Sequence, residues 1–480
     1  MDESPLYMQL AARVATLVDT GALKRGDRLS SVREMALQQG VSTSTVLQAY
    51  RHLEDRRIIE ARPRSGYFVA KPRPPLQVPA ITRPPSASVA VDVNSLAETV
   101  MAAAVDPQCI SFGAACPSGD LFPLERVRQA MSRAARQHAA SLGRYPFAPG
   151  NQALRQAISR RALAMGCPLD HRQILVTNGC LESISLCLRA VTQPGDVVAL
   201  ESPTHFGFLQ ILQSLGLRAL EIPTDPRRGM SLAALELALD TQPIKAVLAV
   251  PTLSNPLGAT MSGIDKRRLA ELLDARGIPL IEDAIYNDLF GTDERRRAVK
   301  SFDRSGNVMI CGSFSKTLAP GLRLGWVEAG RWAPAVQTLK AVLSGGHTEL
   351  VELAMADLLS QPAYEPALRQ LRRTIAQRVT RARQIVGESF PKGTRVTDPA
   401  GGFILWVELP ESLDALELFR ACLEQRICIA PGPMFTATQR YRHCVRLGVG
   451  GRWDEVHERA LREVGRIATA QLRRAIRQAA

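Results

Sequence analysis

A proline-rich stretch near residue 80 divides this chain of 480 residues into two parts of unequal length. It reads KPRPPLQVPAITRPPSAS and shows neither the period of a helix nor that of a strand. Such a composition cannot bury enough apolar surface to order itself, so it predicts a semi-rigid linker. Because the chain also exceeds the length of one ordinary domain, we place a linker at 71–90 between domains at 1–70 and 91–480.

Composition narrows the class of protein. Apolar residues make up 46% of the chain and aromatic residues 5%, which is typical of a globular protein. The nine cysteines are odd in number and form no C-x-x-C pair, which argues against a disulfide framework or a zinc cluster and fits a reducing compartment. The opening MDESPLYMQL lacks a signal-peptide pattern and no apolar run approaches 18 residues, so we expect a cytoplasmic protein without a membrane segment.

The net charge is +14, and it is denser at the front of the chain. The first 83 residues hold 13 Lys or Arg against 8 Asp or Glu, a net of +5. This excess favours a polyanionic partner, although charge by itself is weak support.

Three segments with helical periodicity precede the proline-rich stretch. Apolar residues repeat every three or four positions over residues 6–18, and a second helix is predicted from Val32 to Gln39. Ser30 or Ser31 can cap that second helix, and Ser42 can cap a third. Two helices joined by a tight turn that contains glycine form a helix-turn-helix.

The third helix and the segment after it are predicted to meet DNA. An exposed helix start can enter a major groove, and here it offers Ser42, Thr43, Ser44, Thr45 and Gln48. The following RIIEARPRSGYFVA alternates like a hairpin whose tip carries Arg62, Arg64 and Gly66. Arginines at the tip of such a wing can meet phosphates or a minor groove.

The stretch GDRLSSVREMALQQGVSTSTVLQAYRHLEDRRIIEARPRSGYFVA resembles the winged helix of the GntR family of bacterial transcriptional regulators. The resemblance implies an α+β winged helix-turn-helix that binds double-stranded operator DNA through Arg33, residues 42–45 and the wing. The chain departs from the family pattern with Ser30 before Ser31, where the family often has proline, and with Arg57, where a glycine commonly precedes the wing. The alternative is a helix-turn-helix used for protein contacts.

In the longer part, GSFSKTLAPGLRLGW follows an apolar run and places Lys316 beyond the carboxyl end of a predicted buried strand. Ligands bind at such strand ends in open α/β sheets. A lysine there can form a Schiff base, and nearby hydroxyls and an arginine suit a phosphate. The alternative is a surface lysine beside a Pro-Gly turn.

Three more apolar runs end in polar residues. IPLIEDAIYNDL ends in Asp283, which can keep a cationic ring nitrogen protonated, and AVLAVPTLSNPLG leads to Asn255, which can donate to a phenolate oxygen. VTNGCLESISLCL contains Asn178, Gly179 and Cys180 at a helix start, where N–H groups can hold a phosphate. Each run has an ordinary structural explanation as a cap, turn or loop. Together they supply every part that pyridoxal phosphate needs.

From about Ile110 onward the order of these motifs resembles the fold type I aminotransferases. The resemblance implies an α/β transferase fold that binds pyridoxal 5'-phosphate, with a mainly parallel seven-stranded sheet in a large subdomain at about 110–340. A smaller C-terminal α/β subdomain is expected at about 341–480. Lys316 would bond covalently to the cofactor, Asp283 would pair with the ring nitrogen, and Tyr286 and Asn255 would contact the ring hydroxyl. The phosphate would be held by Asn178, Gly179, Cys180, Ser313, Ser315 and Arg323.

Further roles are implied by the same resemblance. Arg446, in HCVRLGVG, would grip a substrate carboxylate near Asn255, as a bidentate guanidinium can; the alternative is a structural salt bridge. Tyr145, in GRYPFAPG, would reach the phosphate of a neighbouring subunit, which implies a domain-swapped homodimer. In ESPTHFGF either His205 or Phe206 would stack on the ring, and an imidazole there could make the cofactor spectrum depend on pH.

A winged helix joined by a proline-rich linker to an aminotransferase-like domain is the arrangement of the MocR subfamily of GntR regulators. The resemblance implies a regulator that senses pyridoxal phosphate or an amino compound and controls a dimeric DNA reader. One alternative is an active aminotransferase with an accessory DNA-binding domain, and another is a regulator whose large domain only dimerises. Lys316 and Asp283 are both present, which argues against a large domain that only dimerises. The basic tail from Arg459 to Arg477 favours a solvated helix over a second DNA contact.

Overall fold

The computed structural model describes residues 5–56, 58–62, 65–70, 76–91, 96–291, 296–438 and 440–479. The chain forms two compact units, with the main division between Pro74 and Pro75, which we call the front unit and the rear unit. Arg57 and Arg64, which entered the prediction of the wing, lie outside the described residues, as does the linker segment 71–75.

The front unit contains three helices and a hairpin: α1 (Leu6–Asp19), α2 (Val32–Gln39), α3 (Thr43–Asp55), β1 (Ile59–Arg62) and β2 (Gly66–Val69). Helices α2 and α3 begin directly after Ser31 and Ser42, the serines predicted to cap them. Ser31 and Glu34 form a reciprocal capping box, and Ser42 Oγ accepts a hydrogen bond from the Thr45 N–H at 3.1 Å. These caps satisfy main-chain donors that would otherwise lack partners in the first turn.

One apolar core joins the helices of the front unit to its hairpin. Val46, Tyr50 and Leu53 of α3 are fully buried, and Val69 of β2 packs in the same cluster. The Tyr50 hydroxyl donates to the Ser30 carbonyl at 2.8 Å and so ties α3 to the residues before α2. The predicted winged helix-turn-helix is therefore confirmed as a packed unit.

The rear unit contains twelve helices and fifteen strands within the described residues. Its helices are α4 (Leu96–Val105), α5 (Leu124–Gln137), α6 (Gln152–Ala162), α7 (Cys180–Val191), α8 (Phe206–Ser214), α9 (Leu232–Thr241), α10 (Gly263–Ala275), α11 (Ala333–Leu343), α12 (Glu349–Ser360), α13 (Tyr364–Ser389), α14 (Ala415–Glu424) and α15 (Glu455–Ala479). Its strands are β3 (Val89–Ala90), β4 (Ile110–Ser111), β5 (Ile174–Thr177), β6 (Val197–Ser202), β7 (Arg218–Asp225), β8 (Gly229–Met230), β9 (Ile244–Ala249), β10 (Leu280–Asp283), β11 (Val308–Ser313), β12 (Gly325–Glu328), β13 (Arg395–Val396), β14 (Ile404–Glu408), β15 (Ile427–Cys428), β16 (Ala430–Pro431) and β17 (Cys444–Gly448). None of the helices in the described ranges is long and apolar enough to cross a bilayer.

The main sheet has nine strands, and seven of them form the predicted, mainly parallel body in the order β7-β6-β9-β10-β11-β12-β5. All run parallel except β12, which is antiparallel to both of its neighbours, and the short strands β3 and β8 are added at β7. Because helices cover both faces of such a sheet, its strands are continuous apolar runs. The carboxyl ends of β5, β6, β9, β10 and β11 consequently lie along one edge.

A smaller subdomain follows the main sheet in the chain. Four antiparallel strands, in the order β13-β14-β17-β16, pack with α13, α14 and α15. The loop after β4 is bonded to this sheet, because the Gly448 N–H donates to the Phe112 carbonyl at 2.7 Å. Arg446 of β17 therefore lies beside the segment that follows β4, near Phe112 and Gly113.

The described part of the predicted linker, residues 76–90, is bound to the rest of the rear unit. Its strand β3 pairs with the edge strand β7, and the Thr82 hydroxyl donates to the Ser202 carbonyl at 2.6 Å. The Thr224 N–H donates back to Thr82 Oγ1 at 2.7 Å. A proline-rich segment can be ordered in this way because it lies at the edge of the sheet, where only a few of its residues must donate or accept main-chain hydrogen bonds.

Candidate functional site

Lys316 and Asp283 come from adjacent parallel strands, since Asp283 pairs in register with Cys311 of β11. Lys316 follows β11, and its Nζ donates to the Ala115 carbonyl at 2.6 Å. Burial, with help from the nearby Arg446, lowers the pKa of Lys316, although Asp283 opposes that shift. A lysine with a lowered pKa is more often neutral and so is a better nucleophile toward a carbonyl.

Asp283 is 5% exposed and lies at the end of β10. Its Oδ1 accepts hydrogen bonds from the Ile285 N–H at 2.9 Å and from the Cys180 thiol at 3.3 Å. Burial raises the pKa of Asp283 to about 6, although these two donors and Lys316 favour the ionised form. A cation placed against this carboxyl would stabilise its charge further.

Asn255 lies between Tyr286 and Arg446. Its Nδ2 donates to the Tyr286 hydroxyl at 3.4 Å, and its Oδ1 accepts from Arg446 Nη1 at 3.4 Å. Burial raises the pKa of the Tyr286 phenol, which therefore stays a hydrogen-bond donor at neutral pH. The structure thus brings together three of the predicted site residues through one side-chain amide.

Arg446 is completely buried, yet no carboxylate in the described part of the chain pairs with it. Its Nη2 donates to the Gly113 carbonyl, while its Nε has no hydrogen-bond acceptor among those residues. Burial lowers the pKa of Arg446 to about 10, and the Phe435 ring lies 5.0 Å from the guanidinium carbon. Within the described ranges Arg446 forms no structural salt bridge, and a buried cation of this kind suits an anionic ligand.

The turn between β5 and α7 forms a cup with anion-binding character. Gly179 precedes α7 at φ 97°, and a side chain there would meet Arg323, whose Nη2 lies only 2.7 Å from the position of a Cβ. Ser313 Oγ lies 2.9 Å from Ser315 Oγ. Main-chain N–H groups at a helix start, hydroxyls and a guanidinium are the groups that bind a phosphate.

Asn178 differs from the other predicted phosphate ligands. Its main-chain N–H donates to Glu182 Oε2 at 2.6 Å, and its side-chain amide donates to Glu182 Oε1 at 3.2 Å. Glu182 is in turn bonded by the buried Lys340 at 3.0 Å. Asn178 is therefore engaged in shaping the turn.

His205 and Phe206 begin α8 at the same edge of the sheet, with ring centroids 4.7 Å apart. His205 Nδ1 accepts from the Gly207 N–H at 3.1 Å. Burial lowers the pKa of His205 to about 3, so this imidazole is neutral over the physiological range. Desolvation disfavours the imidazolium, which argues against a pH-dependent cofactor spectrum that originates at His205.

Tyr145 differs from Asp283, Asn255 and Arg446 in being largely exposed to solvent. It is 87% exposed, and Phe147 and Leu142 beside it are 77% and 71% exposed. The carbonyl of Pro146 accepts from the Gly346 N–H at 3.1 Å, which places the exposed Val342 and Leu343 near the same region of the chain. A cluster of exposed large apolar side chains is typical of a protein–protein interface.

On the front unit, the predicted DNA-reading residues are mostly at the surface. Arg33, Ser42, Thr43, Ser44 and Gln48 are the predicted contacts in the two helices, with Thr45 half-buried among them. Arg62 is engaged within the hairpin, because its guanidinium bonds Glu60 at 2.8 Å and lies 4.1 Å from the Phe68 ring centroid. Gly66 is exposed opposite Arg62 in the β1–β2 register, and Arg64 lies outside the described residues.

Sequence reasoning missed several groups near Lys316 and Arg446. They are the main-chain carbonyls of Gly113 and Ala115, the ring of Phe435 and the thiols of Cys116 and Cys180. Cys116 is close enough to Lys316 to interact with it electrostatically. No sequence pattern pointed to these groups, since their positions around the site depend on contacts between distant segments.

The groups at this edge match each part of pyridoxal phosphate. The amine of Lys316 suits its aldehyde, the carboxyl of Asp283 its ring nitrogen, and the Tyr286–Asn255 pair its ring hydroxyl. The cup at Gly179 suits its phosphate. The donor set therefore fits that cofactor.

Comparison with known proteins agrees with both units. Residues 107–463 match the family Aminotransferase class I and II, and residues 6–69 match the family Bacterial regulatory proteins, gntR family. The fold and the site thus define a two-part protein in which a winged helix-turn-helix precedes an aminotransferase-like domain. Members of the aminotransferase class I and II fold bind pyridoxal phosphate.

Two relatives named as transcriptional regulators match nearly the whole chain. The uncharacterized HTH-type transcriptional regulator YdcR of Escherichia coli (strain K12) is 38% identical over 97% of this chain and 99% of its own length. A second regulator of that organism, YjiR, is 35% identical over 96% of this chain and 98% of its own. The chain belongs to the MocR-type regulators, which join a gntR-family domain to an aminotransferase class I and II domain.

A solved structure supports the architecture of the rear unit. LysN, the alpha-aminoadipate aminotransferase from Thermus thermophilus, aligns with a TM-score of 0.73 at 26% identity. The alignment covers 78% of this chain and 95% of LysN, which was crystallised with N-(5'-phosphopyridoxyl)-L-leucine.

Proposed function

We propose that this protein is a DNA-binding transcriptional regulator whose rear unit binds pyridoxal phosphate and senses an amino compound. The observation that carries the proposal is Arg446, a fully buried cation without an acidic partner among the described residues, in a site that also contains Lys316 and Asp283. The same chain has a helix-turn-helix of the gntR family with an exposed recognition helix start. A ligand-binding site and a DNA reader in one chain are the two parts that a ligand-controlled regulator needs.

When bound, pyridoxal phosphate supplies an aldehyde that reacts with amines and a ring that withdraws electrons. Each residue of the site has a separate task. Lys316 offers a neutral amine, Asp283 holds the proton of the ring nitrogen, and Tyr286 with Asn255 orients the ring through its hydroxyl. Arg446 binds the carboxylate of an amino acid-like effector through two parallel N–H groups. Gly179, Cys180, Ser313, Ser315 and Arg323 hold the phosphate.

Tyr145 supports a homodimer within this proposal. Its exposed phenol belongs to an apolar cluster on the surface of the rear unit, and proteins of this fold are typically dimeric. In a domain-swapped arrangement Tyr145 reaches the phosphate of the neighbouring subunit. A dimer would also present two winged helices to two half-sites of an operator.

The rear unit contains a continuous set of contacts from Arg446 toward the segment with which it begins. Phe435 packs on the Arg446 guanidinium, and its carbonyl accepts from the Thr204 N–H at 2.9 Å. The next residue, Thr436, donates to Glu221 Oε1 at 2.6 Å. A carboxylate attracted to Arg446 would therefore act on a loop that is anchored at Glu221.

Glu221 connects that loop to Thr82. Its Oε2 accepts from Ser202 Oγ at 2.6 Å, and Ser202 Oγ lies 2.7 Å from the Tyr441 hydroxyl. Thr82 donates to the Ser202 carbonyl at 2.6 Å. Because these groups are mostly buried and mutually bonded, a shift of the loop at Phe435 would be felt at Thr82, in the segment that follows the front unit in sequence.

The test is a mobility-shift assay on the upstream DNA of the protein's own gene at fixed salt, combined with visible spectroscopy. We expect sequence-specific binding whose affinity changes when pyridoxal phosphate is added, and again when an L-amino acid is added to the loaded protein. If the protein binds the cofactor, as its visible absorbance would show, but shifts the upstream DNA and random DNA equally, the proposed regulatory function is refuted. Measurements at two salt concentrations separate specific binding from charge-driven binding.

An active aminotransferase with an accessory DNA-binding domain is the second candidate. The observation that favours it is the presence of Lys316, Asp283, Tyr286 and Arg446 in one site, which is what transamination requires. Assays with several amino acids and 2-oxo acids distinguish the two functions. Turnover at ordinary enzymatic rates, about 1 to 1,000 per second, would favour the enzyme.

A further inference from the structure

Cys180 contacts two parts of the candidate cofactor site at once. It is the first residue of α7, so its main-chain N–H lies at the helix start that forms the phosphate cup. Its side-chain thiol lies 3.3 Å from Asp283 Oδ1. The phosphate and the ring nitrogen of pyridoxal phosphate are at separate ends of that molecule, so few residues can serve both.

The thiol is held in its protonated form. Cys180 is 4% exposed, and burial together with the neighbouring Asp283 raises its pKa well above the ordinary value. A protonated thiol can donate a weak hydrogen bond, whereas a thiolate next to a carboxylate would be repelled. The direction of the bond is therefore from sulfur to Asp283 Oδ1.

Two donors to one oxygen fix the orientation of the Asp283 carboxyl. Oδ1 accepts from the Ile285 N–H and from Cys180, while no group among the described residues is found to donate to Oδ2. A carboxyl whose one oxygen is anchored in this way keeps its plane and leaves the other oxygen for a ligand. Hydrogen bonds to the ionised carboxylate also favour its charged form.

The backbone at Cys180 is fixed from two directions. Gly325 of β12 approaches so closely that a Cβ there would lie 2.5 Å from the Gly179 carbonyl carbon and 2.9 Å from the Cys180 nitrogen. One turn along α7, Ser183 Oγ bonds Thr177 Oγ1 at 2.7 Å. The thiol therefore has little freedom to move away from Asp283.

We propose that Cys180 is a positioning residue that aligns the Asp283 carboxyl with the cofactor ring nitrogen while its main-chain N–H contributes to the phosphate cup. The inference rests on the proposed function and deepens it, because it assigns the Cys180 side chain to a site in which only its backbone was expected. Cys180 would then help to position both the phosphate, through its main-chain N–H, and the ring nitrogen, through its side chain and Asp283.

Cys187 offers a matched control on the same helix. It lies seven residues further along α7, is also fully buried, and its sulfur is 3.9 Å from that of Cys311. Loss of either thiol leaves a similar small cavity, but only Cys180 donates to Asp283. The ionisable groups that face Asp283 from the surrounding elements are Cys180, Glu201, Tyr286, Cys311 and Lys316.

The experiment compares wild type, Cys180→Ala, Cys180→Ser and Cys187→Ala as full-length proteins. It measures affinity for pyridoxal phosphate, affinity for inorganic phosphate by competition, and the pH midpoint of the bound-cofactor spectrum. We expect Cys180→Ala to weaken pyridoxal phosphate about 3- to 10-fold, the range for loss of one hydrogen bond, with phosphate affinity unchanged. The pH midpoint should move upward because Asp283 loses a donor to its ionised form. Cys180→Ser should restore both values.

Three results would overturn the inference. They are equal effects of Cys180→Ala and Cys187→Ala, a parallel loss of inorganic phosphate affinity, and no rescue by Cys180→Ser. The wild-type protein tests the proposed function separately. If wild type fails to bind pyridoxal phosphate, the proposed function and this inference both fall, whereas a difference among the variants bears on Cys180 alone.

Discussion

The two units of this protein present their proposed binding residues in opposite ways. On the front unit these residues lie close together in the sequence and mostly at the surface, as with Ser42, Thr43, Ser44 and Gln48. In the rear unit they come from positions as distant as Gly179 before α7 and Arg446 within β17, and Asp283, Asn255 and Arg446 are buried. The front unit thus presents its proposed binding residues on a short stretch of chain, whereas the site of the rear unit requires many elements to converge.

The difference has an electrostatic consequence. Exposed side chains on the front unit are solvated and keep charges that act at a distance on a polyanion. In the rear unit, burial raises the pKa of Asp283 to about 6 and lowers that of Arg446 to about 10. The buried groups of the rear unit are desolvated and favour a ligand of complementary charge, which gives specificity. The exposed charges of the front unit favour a polyanion because binding releases counterions.

The largest expected effect comes from Lys316→Ala. Loss of the amine should abolish the visible absorbance of the bound cofactor and the adduct trapped by borohydride, because Lys316 is the lysine that the structure places beside Asp283. Absorbance spectroscopy and mass spectrometry measure both. Lys245→Ala, at an exposed position, is the control. A borohydride-stable adduct that persists in Lys316→Ala would contradict the assignment.

Arg446→Ala is expected to affect the effector and spare the cofactor. Loss of a bidentate, charge-assisted contact should raise the amino acid concentration needed for a spectral change about 30- to 100-fold. Titration of the loaded protein with common L-amino acids gives this value. Arg446→Lys keeps the charge without the fork geometry and should be intermediate. An unchanged titration would place the carboxylate site elsewhere.

Glu201→Gln tests the cost of burying a carboxyl in the rear unit. Burial raises the pKa of Glu201 to about 8, while its carboxylate oxygens accept from the Val250 N–H. Because the folded-state pKa lies above the unfolded one, native stability is lost as the pH rises from about 4.5 toward 8 and the penalty is constant above that. Glu201→Gln should therefore stabilise the rear unit at pH 8 by about 1 to 3 kcal/mol and have little effect at pH 4.5.

Tryptophan fluorescence isolates that measurement. All four tryptophans lie in the rear unit, at positions 326, 332, 406 and 453, so denaturant unfolding followed by their emission reports on that unit. A stability gain that is equal at both pH values would show that packing, not ionisation, is responsible.

Arg33→Ala probes the exposed side of the comparison. If Arg33 contacts one phosphate, its loss should weaken DNA binding about 3- to 10-fold and reduce the salt slope by about 0.9. Mobility shifts at several salt concentrations give the slope. Arg172→Ala, an exposed arginine of the rear unit, should leave it unchanged. An identical slope for Arg33→Ala and wild type would count against the proposed face.

Thr82→Val should have the smallest effect. It tests whether effector binding in the rear unit changes DNA binding by the front unit. Removal of the hydroxyl breaks its bond to the Ser202 carbonyl, so we expect the effector-induced change in DNA affinity to fall about 2- to 5-fold, near the lower limit of typical coupling. Cofactor and basal DNA affinities should persist. Thr241→Val, whose hydroxyl bonds its own helix at the Leu237 carbonyl, is the control. An equal effector-induced change in DNA affinity in the two variants would show that the Thr82 hydroxyl does not transmit the effect of the ligand.

Much of the fold was predictable from local patterns. The hydroxyl caps at Ser31 and Ser42, the end of α2 at Gln39 and the apolar runs of β9, β10 and β11 each depend on neighbours within a few residues. The placement of Lys316 just beyond β11 followed from the same reasoning. Arg62 was harder, because its pairing with Glu60 and Phe68 depends on the register of a hairpin.

The interior of the site was less accessible to sequence. That His205 is neutral follows from its desolvation, and that the carbonyl of Gly113 meets Arg446 follows from the packing of two distant segments. Residues 76–90 were expected to belong to a spacer, but Thr82 and β3 bind this segment to the main sheet. Composition could not show this, because the edge strand that receives it lies far away in the sequence.

The sequence alone determined the two-part organisation, the winged helix-turn-helix and the order of the strand-end motifs, because periodicity, caps and turns are local properties of the chain. Only the tertiary structure decided which thiol meets Asp283, that Arg446 lacks an acidic partner among the described residues, and that Thr82 joins the Glu221 network. Those facts depend on distances and desolvation between segments far apart in the chain, and both quantities exist only once the chain has folded.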